Sequence, residues 1–180
     1  MSRSGVAAAA CLACLVAIPG ARAEWTPPLL PGIAHRTGGP GLSVRCLSAS
    51  EWSARRLPAG VVAARRGTTV LLAERACSVL VGYATSFPNA PRPGTRAELD
   101  VARNLVRFLA AAVSARHLSR GQADCRTLES IVSALTALGT PSKAYAVGVR
   151  TRVLVARKRL HIVLEPAKTC SVKLPKAAPA

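Results

Sequence analysis

Residues 95–139 carry the pattern that most constrains the fold, because they predict two amphipathic helices joined by a short basic connection. Thr95 and Glu98 have the spacing of a capping box, which places the start of the first helix. Apolar residues then recur at helical spacing, at Leu99, Ala102, Leu105, Val106, Leu109, Ala112 and Val113. Arginines at positions 96, 103 and 107 fall on the opposite face.

The second helix is predicted over residues 122–138. Its apolar stripe consists of Cys125, Leu128, Ile131, Val132, Leu135 and Leu138. Gly139 and Pro141 follow, and they are typical of a helix end. Two such helices with a short connection are expected to pack antiparallel and to bury both stripes.

The first 23 residues are typical of a secretory signal peptide. Arg3 precedes an apolar run over residues 6–18, and Ala21-Arg22-Ala23 forms an A-x-A cleavage site. The mature chain would begin at Glu24, so we expect a secreted or extracytoplasmic protein. The run is short for a bilayer span, and we expect no transmembrane span after cleavage.

The chain is strongly basic, with a formal net charge of +17 at pH 7. Removing the signal peptide removes two arginines and no acid, which leaves 23 basic residues against eight acids and a charge of +15. Such an excess favours an anionic partner, for example an envelope polymer, a membrane surface or an acidic protein. The alternative is that many of these basic side chains are only hydrated surface residues. The scarcity of aromatic residues argues against single-strand nucleic-acid binding, and sequence-specific nucleic-acid recognition is not expected.

Four cysteines remain after cleavage, at Cys46, Cys77, Cys125 and Cys170. An even number in an exported chain indicates two disulfides, for which three pairings exist. No two of them have the close spacing of a zinc knuckle. The pairing Cys46–Cys77 and Cys125–Cys170 is the most economical in chain, and we predict it.

The pattern of the remaining chain predicts one α+β domain over residues 43–172, which the two disulfides cross-link. Residues 24–42 are rich in Pro and Gly and predict an extended, flexible arm, and residues 173–180 predict a disordered tail. Strands are expected over residues 43–47 and in a hairpin of 61–64 with 68–73, whose turn is Arg65-Arg66-Gly67. Trp52 is expected to be a buried anchor on a short helix over residues 50–56.

Residues 142–157 are ambiguous between a strand and a helix. Strict alternation of apolar residues from Tyr145 to Val155 is typical of a strand, and Leu160 to Leu164 could pair with it as a second hairpin. A helix is the alternative, because Ala and Arg tolerate helical conformation well.

Catalytic and metal-binding patterns are sparse. No His pair has i, i+4 spacing, no G-x-S-x-G or phosphate-binding Gly loop is present, and the chain has only eight acids. We therefore assign no catalytic, cofactor-binding or metal-binding residue and expect no cofactor. The one candidate site is a cluster of His117, Asp124 and His161. Residues in such positions are more often a cation at a helix end, an acid on the surface and a side chain on a strand, respectively.

The order of several residues resembles that of secreted bacterial zinc-metallopeptidase-like proteins. Cys46 is followed by Trp52, the segment 68–73 and Cys77, and later by Ala123-Asp124-Cys125, Leu138-Gly139 and Cys170. The resemblance spans residues 44–170 and implies the same disulfide pairing.

The chain departs from that family at the positions of the catalytic zinc motif. The His-Glu-x-x-His motif would fall on Leu109-Ala110-Ala111-Ala112-Val113, which has neither zinc ligand nor general base, and Arg120 replaces a motif acid. The resemblance thus implies a scaffold that has lost catalysis.

Three functions remain open at this point. The favoured one is a secreted, non-enzymatic basic protein that binds a partner at the cell envelope, and it could be such a catalytically dead scaffold. The first alternative is a metallopeptidase-like hydrolase with a non-standard zinc site. The second is a structural module that recruits another protein through the arm over residues 24–42.

Overall fold

The computed structural model describes residues 28–85, 91–114 and 117–176, and these form one α+β domain. The predicted signal peptide and residues 24–27 lie outside the described residues. The elements are α1 (Leu29–Gly38), β1 (Ser43–Leu47), α2 (Ala49–Ala54), β2 (Ala63–Arg66), β3 (Thr69–Ala73), α3 (Glu74–Thr85), α4 (Arg96–Val113), α5 (Arg120–Ala137) and α6 (Lys143–Val155). Within these ranges, no helix has both the length and the apolar character required to cross a membrane.

The three strands form a mixed sheet in the order β1-β3-β2, in which β1 is parallel and β2 antiparallel to β3. The predicted strand over residues 43–47 and the predicted hairpin are both confirmed. The hairpin turn lies at Gly67-Thr68, not at Arg65-Arg66-Gly67, because Arg66 already pairs with Thr69. Gly67 has a φ of 58°, which suits the first central position of a type II′ turn.

Helix α4 is the centre of the domain and contacts α1, α3, α5, α6, β2 and β3. The Thr95 hydroxyl caps it by accepting from the Glu98 amide at 3.3 Å, as predicted. The Glu98 carboxylate does not accept from the Thr95 amide, as a complete capping box would require. It accepts instead from the Gly94 amide and from Arg152. Because other elements surround α4, the face that carries its arginines is only partly exposed to solvent. Arg103 and Arg107 on this face are half-buried.

Helix α5 packs on α4 and begins with a capping box between Ser119 and Gln122. It ends before Gly139, whose φ of 94° explains the glycine at this position. Both predicted disulfides are confirmed. Cys46 and Cys77 join β1 to α3, and Cys125 and Cys170 join α5 to the C-terminal segment.

The prediction of an extended arm over residues 24–42 is wrong for the described part, because residues 29–38 form α1. Leu30, Ile33 and Ala34 are fully buried and belong to the main core. Pro31 is tolerated because it lies in the first turn, where backbone N–H groups have no partner within the helix.

Within residues 142–157, Lys143–Val155 forms the helix α6, so the strand alternative and the second hairpin are wrong. The Ser142 hydroxyl accepts from the Tyr145 amide at 3.1 Å and caps α6. The buried residues of α6 have helical spacing and are Ala146, Val149, Val153 and Leu154.

Two smaller predictions also need correction. Trp52 is only half-buried, because α2 lies at the surface beside β1 and has no buried residue. The first residues of the predicted tail lie against the domain: Leu174 packs on the core, and the Pro175 carbonyl accepts from Arg157 Nη1 at 2.7 Å. Residues 177–180 lie outside the described residues.

Candidate binding groove

A groove of about 590 Å³ lies between β2 and the C-terminal half of α4. Residues 59–65 form one wall, and Arg107, Ala110, Ala111 and Ser114 form the other, with His161 also lining the groove. We call this feature the β2–α4 groove. It combines small apolar side chains with two guanidinium groups, and the described lining contains no carboxylate.

The wall formed by β2 is a free sheet edge in the described part of the chain, since β2 pairs only with β3. The Val62 carbonyl accepts from the Ala73 amide at 2.9 Å, which makes Val62 a hydrogen-bonded partner in the antiparallel ladder. Backbone groups alternate in such a ladder, so Ala64 and Arg66 face β3, while Ala63 and Arg65 direct their N–H and C=O groups away from it. These outward groups are available for a further extended strand.

Arg65 is held against α4 by its guanidinium. Its Nη1 donates to the Ala112 carbonyl at 2.8 Å, and its Nε donates to the Gly67 carbonyl at 2.9 Å. The acceptor near the C-terminal end of α4 lies at the negative end of the helix dipole, which favours a cation there. Arg65 is therefore fixed in position by two carbonyl oxygens.

Arg107 projects from α4 into the same groove. Its Nη1 donates to the Gly60 carbonyl at 3.3 Å, and its Nη2 donates to the Leu160 carbonyl at 3.4 Å. Burial lowers the pKa of the Arg107 guanidinium below its ordinary value, and the positive charge of Arg103 acts in the same direction. Within the described ranges, the ion pairs involve neither Arg65 nor Arg107. The groove thus holds two cations without a carboxylate partner, and an anion would interact favourably with both.

The structure does not bring the three predicted candidate residues together. His117 is exposed in the turn before α5, and the Asp124 carboxylate accepts from the Glu165 amide at 2.7 Å. Only His161 reaches the β2–α4 groove, where its backbone has a φ of 51°.

A shared metal site for these three residues finds no geometric support. In the described chain, the group of His, Cys, Asp and Glu side chains whose ligand atoms lie within 4.8 Å of one another is Cys125, Glu129 and Cys170. Both of its sulfur atoms already form a disulfide, so they are not thiolate ligands.

The five positions at which the resemblance places a metal motif lie at the C-terminal end of α4. Leu109, Ala112 and Val113 are buried in the core, whereas Ala110 and Ala111 line the β2–α4 groove. Small side chains at these two positions keep the α4 wall of the groove free of bulky groups.

Comparisons of the chain with protein-family models, with curated proteins and with solved structures find no match. Sequence reasoning assigned Arg65 to a turn and Arg107 to a solvent face, and it missed both as site residues. The hairpin itself was predicted, and one available signal was that Arg65 and Arg66 must point to opposite faces of its first strand.

Proposed function

We propose that this chain is an exported, non-enzymatic binding protein whose β2–α4 groove takes an extended acidic segment of a partner protein. The observation that carries the proposal is the pair Arg65 and Arg107, which lie without a carboxylate partner beside the outward edge of β2. Cations in a partly enclosed groove interact with an anion more strongly than cations on an open surface.

The strand edge favours a polypeptide over the other anionic partners that the charge alone would allow. A segment that adds as a strand gains backbone hydrogen bonds to Ala63 and Arg65, and its alternate side chains face the groove. Envelope polymers and lipid head groups lack that repeating amide backbone. Glu or Asp at the groove-facing positions would meet Arg65 and Arg107, and small apolar residues would contact Ala110 and Ala111.

The wider properties of the chain support an extracytoplasmic binding role. Two disulfides are typical of proteins that fold in an oxidising compartment, which agrees with the predicted signal peptide. The net charge of +15 after signal cleavage would attract acidic proteins over a longer range and raise the association rate at low ionic strength.

A relationship to zinc-metallopeptidase-like proteins would fit this proposal as a scaffold whose cleft binds without cleaving. The groove runs along Ala110 and Ala111, which are two of the positions that the resemblance assigns to the missing motif. A hydrolase with a non-standard zinc site has less support, because the described lining contributes one imidazole and no carboxylate. Recruitment through an N-terminal arm also has less support, because α1 is packed into the core.

The test measures binding of a fluorescent octapeptide of alternating Glu and Val to the oxidised mature protein by fluorescence anisotropy. We expect binding that weakens at least severalfold between 50 and 300 mM NaCl, because salt screens the ion pairs. The matched Gln-Val peptide should bind at least about tenfold more weakly, since it keeps the backbone and loses the charge. Equal binding of the two peptides would contradict the proposal.

Two protein variants separate the charge contribution from the strand edge. Arg107→Gln removes a groove cation, and Arg75→Gln removes an exposed cation on α3 that does not line the groove. Only the first should weaken binding by about tenfold. Ala63→Pro removes an outward N–H and no bond to β3, so it should weaken binding while the fold persists. If the three variants bind alike, the groove is not the site.

A further inference from the structure

We propose a second binding site, on the face of the sheet opposite the β2–α4 groove, that takes a phosphate monoester group. A cavity of about 410 Å³ lies there, and its polar lining consists of Ser43, Arg45, Arg55, Arg66 and Thr69. We call it the sheet-face basin. It goes beyond the proposed function, because none of these five residues lines the groove.

Strand geometry explains why these side chains share one face. Successive residues of a strand point to opposite sides, so Arg65 faces α4 and Arg66 faces the other way. Arg66 is paired with Thr69, and Thr69 is paired with Ser43, which places the three side chains in one row across the sheet. Arg45 lies two residues further along β1 on that same face, and Arg55 follows α2.

The charge of the basin matches a phosphate monoester. Three arginines contribute +3, and the adjacent Glu51, which forms an ion pair with Arg45 at 3.0 Å, reduces this to a net +2. A phosphate monoester carries about −1.5 to −2 at pH 7, whereas a carboxylate carries −1. Planar guanidinium groups also bind phosphate oxygens through two parallel hydrogen bonds.

The basin also offers hydroxyl groups for the remaining phosphate oxygens. Ser43 Oγ and Thr69 Oγ1 lie 2.9 Å apart, so a hydrogen bond between them already orients the pair. Arg55 and Arg66 form no hydrogen bond or ion pair with other side chains over residues 28–85, 91–114 and 117–176. Their guanidinium groups can therefore turn to a ligand without breaking a hydrogen bond or an ion pair.

The experiment titrates the oxidised mature protein with glycerol 3-phosphate, followed by calorimetry at constant ionic strength. We expect saturable 1:1 binding to the wild type, with acetate at the same ionic strength giving no saturation. Arg66→Gln should weaken binding by about tenfold or more, because one charge-assisted contact is lost. Arg75→Gln serves as the charge-matched control and should bind like the wild type.

Arg55→Gln provides a second variant, with circular dichroism to show that each variant is folded. Binding that is unchanged in both Arg55→Gln and Arg66→Gln, or reduced equally in Arg75→Gln, would overturn the proposal. Vesicles that contain phosphatidylglycerol test the lipid source of phosphate. Retention on vesicles that depends on Arg66, without binding of glycerol 3-phosphate, would also overturn the assignment to a monoester.

Discussion

Glu98 provides the sharpest test of how the domain is held together, because it is an ionised group in the core. Its side chain is 1% exposed and accepts hydrogen bonds from Arg152 Nη2 at 2.6 Å, Arg152 Nε at 2.8 Å and the Gly94 amide at 2.8 Å. This network joins the start of α4 to α6. We predict that Glu98→Gln, which keeps the shape and removes the charge, strongly destabilises the protein.

The magnitude follows from what the substitution leaves behind. Removing one partner of a buried ion pair costs about 3–5 kcal/mol when the other charge remains buried. The Arg152 side chain is 34% exposed and can regain some water, which lowers the expected cost to about 2–3 kcal/mol. For a chain of this size, that corresponds to a decrease of roughly 5–10 °C in Tm.

The pH dependence supplies an independent check with a definite sign. Burial alone would raise the pKa of Glu98, but the hydrogen bonds from Arg152 and Gly94 outweigh burial and lower the pKa below its ordinary value. A carboxyl group with a lowered pKa stabilises the fold above its unfolded pKa of about 4.3, and this contribution is lost as pH falls through the lower folded pKa. The stability difference between wild type and Glu98→Gln should therefore be largest near neutral pH and shrink below about pH 4.

Urea denaturation followed by circular dichroism measures both effects. Asp100→Asn is the matched control, because Asp100 lies on the same helix and pairs with Arg103 at 3.1 Å, where both side chains remain about 30% exposed. Such an i, i+3 pair contributes only about 0.2–0.5 kcal/mol. If Glu98→Gln costs no more than Asp100→Asn, or if its cost is independent of pH, the assignment of a stabilising buried pair is wrong.

Two further predictions concern packing and covalent links. A Cβ at Gly38 would overlap the Ala112 carbonyl, so Gly38→Ala should destabilise the protein by about 1–3 kcal/mol. A Cβ at Gly82 on α3 would meet open space, so Gly82→Ala should stabilise the protein by about 0.5–1 kcal/mol. Urea denaturation midpoints measure both effects, and equal midpoints for the two variants would refute the role of packing at Gly38. Replacing Cys46 and Cys77 together by Ser should cost about 3–4 kcal/mol, because the closed loop spans 31 residues. An unchanged Tm after this double substitution would contradict that estimate.

The parts of the fold that the sequence predicted correctly are those with local signals. The Thr95 cap and the Gly67 turn of the hairpin are local signals, and the structure agrees with both. The start of α5 was placed two residues too late, because its Ser119 cap was not predicted. The disulfide pairing followed from the shortest loops that the four cysteines allow. The errors arose where two local signals competed. Pro and Gly in α1 suggested an arm, yet burial of Leu30 and Ile33 at helical spacing decided the outcome.

Residues 143–155 show the same competition. Valines at positions 147, 149, 153 and 155 fit a strand pattern, and Ala146, Val149 and Val153 fit a helical one at the same time. The Ser142 cap and packing on α4 and α5 select the helix.

The β2–α4 groove could not be predicted from the sequence, because it depends on which element packs beside the free edge of the sheet. The chain has 25 Lys and Arg residues, and nothing in the local sequence indicates that Arg65 and Arg107 share one cleft. Only the contact of β2 with α4 places the two guanidinium groups in one cleft, over residues separated by 42 positions.

The most direct test of the account is residue-specific amide hydrogen exchange, measured by NMR with and without the Glu-Val octapeptide. In the free protein, Ala64 and Arg66 should be protected by their bonds to β3, and the outward amides of Ala63 and Arg65 should exchange rapidly. Adding peptide should slow exchange at Ala63 and Arg65 by at least tenfold, because the bound segment accepts their hydrogen bonds. Binding that leaves both amides in rapid exchange would contradict the proposal that a partner strand pairs with β2.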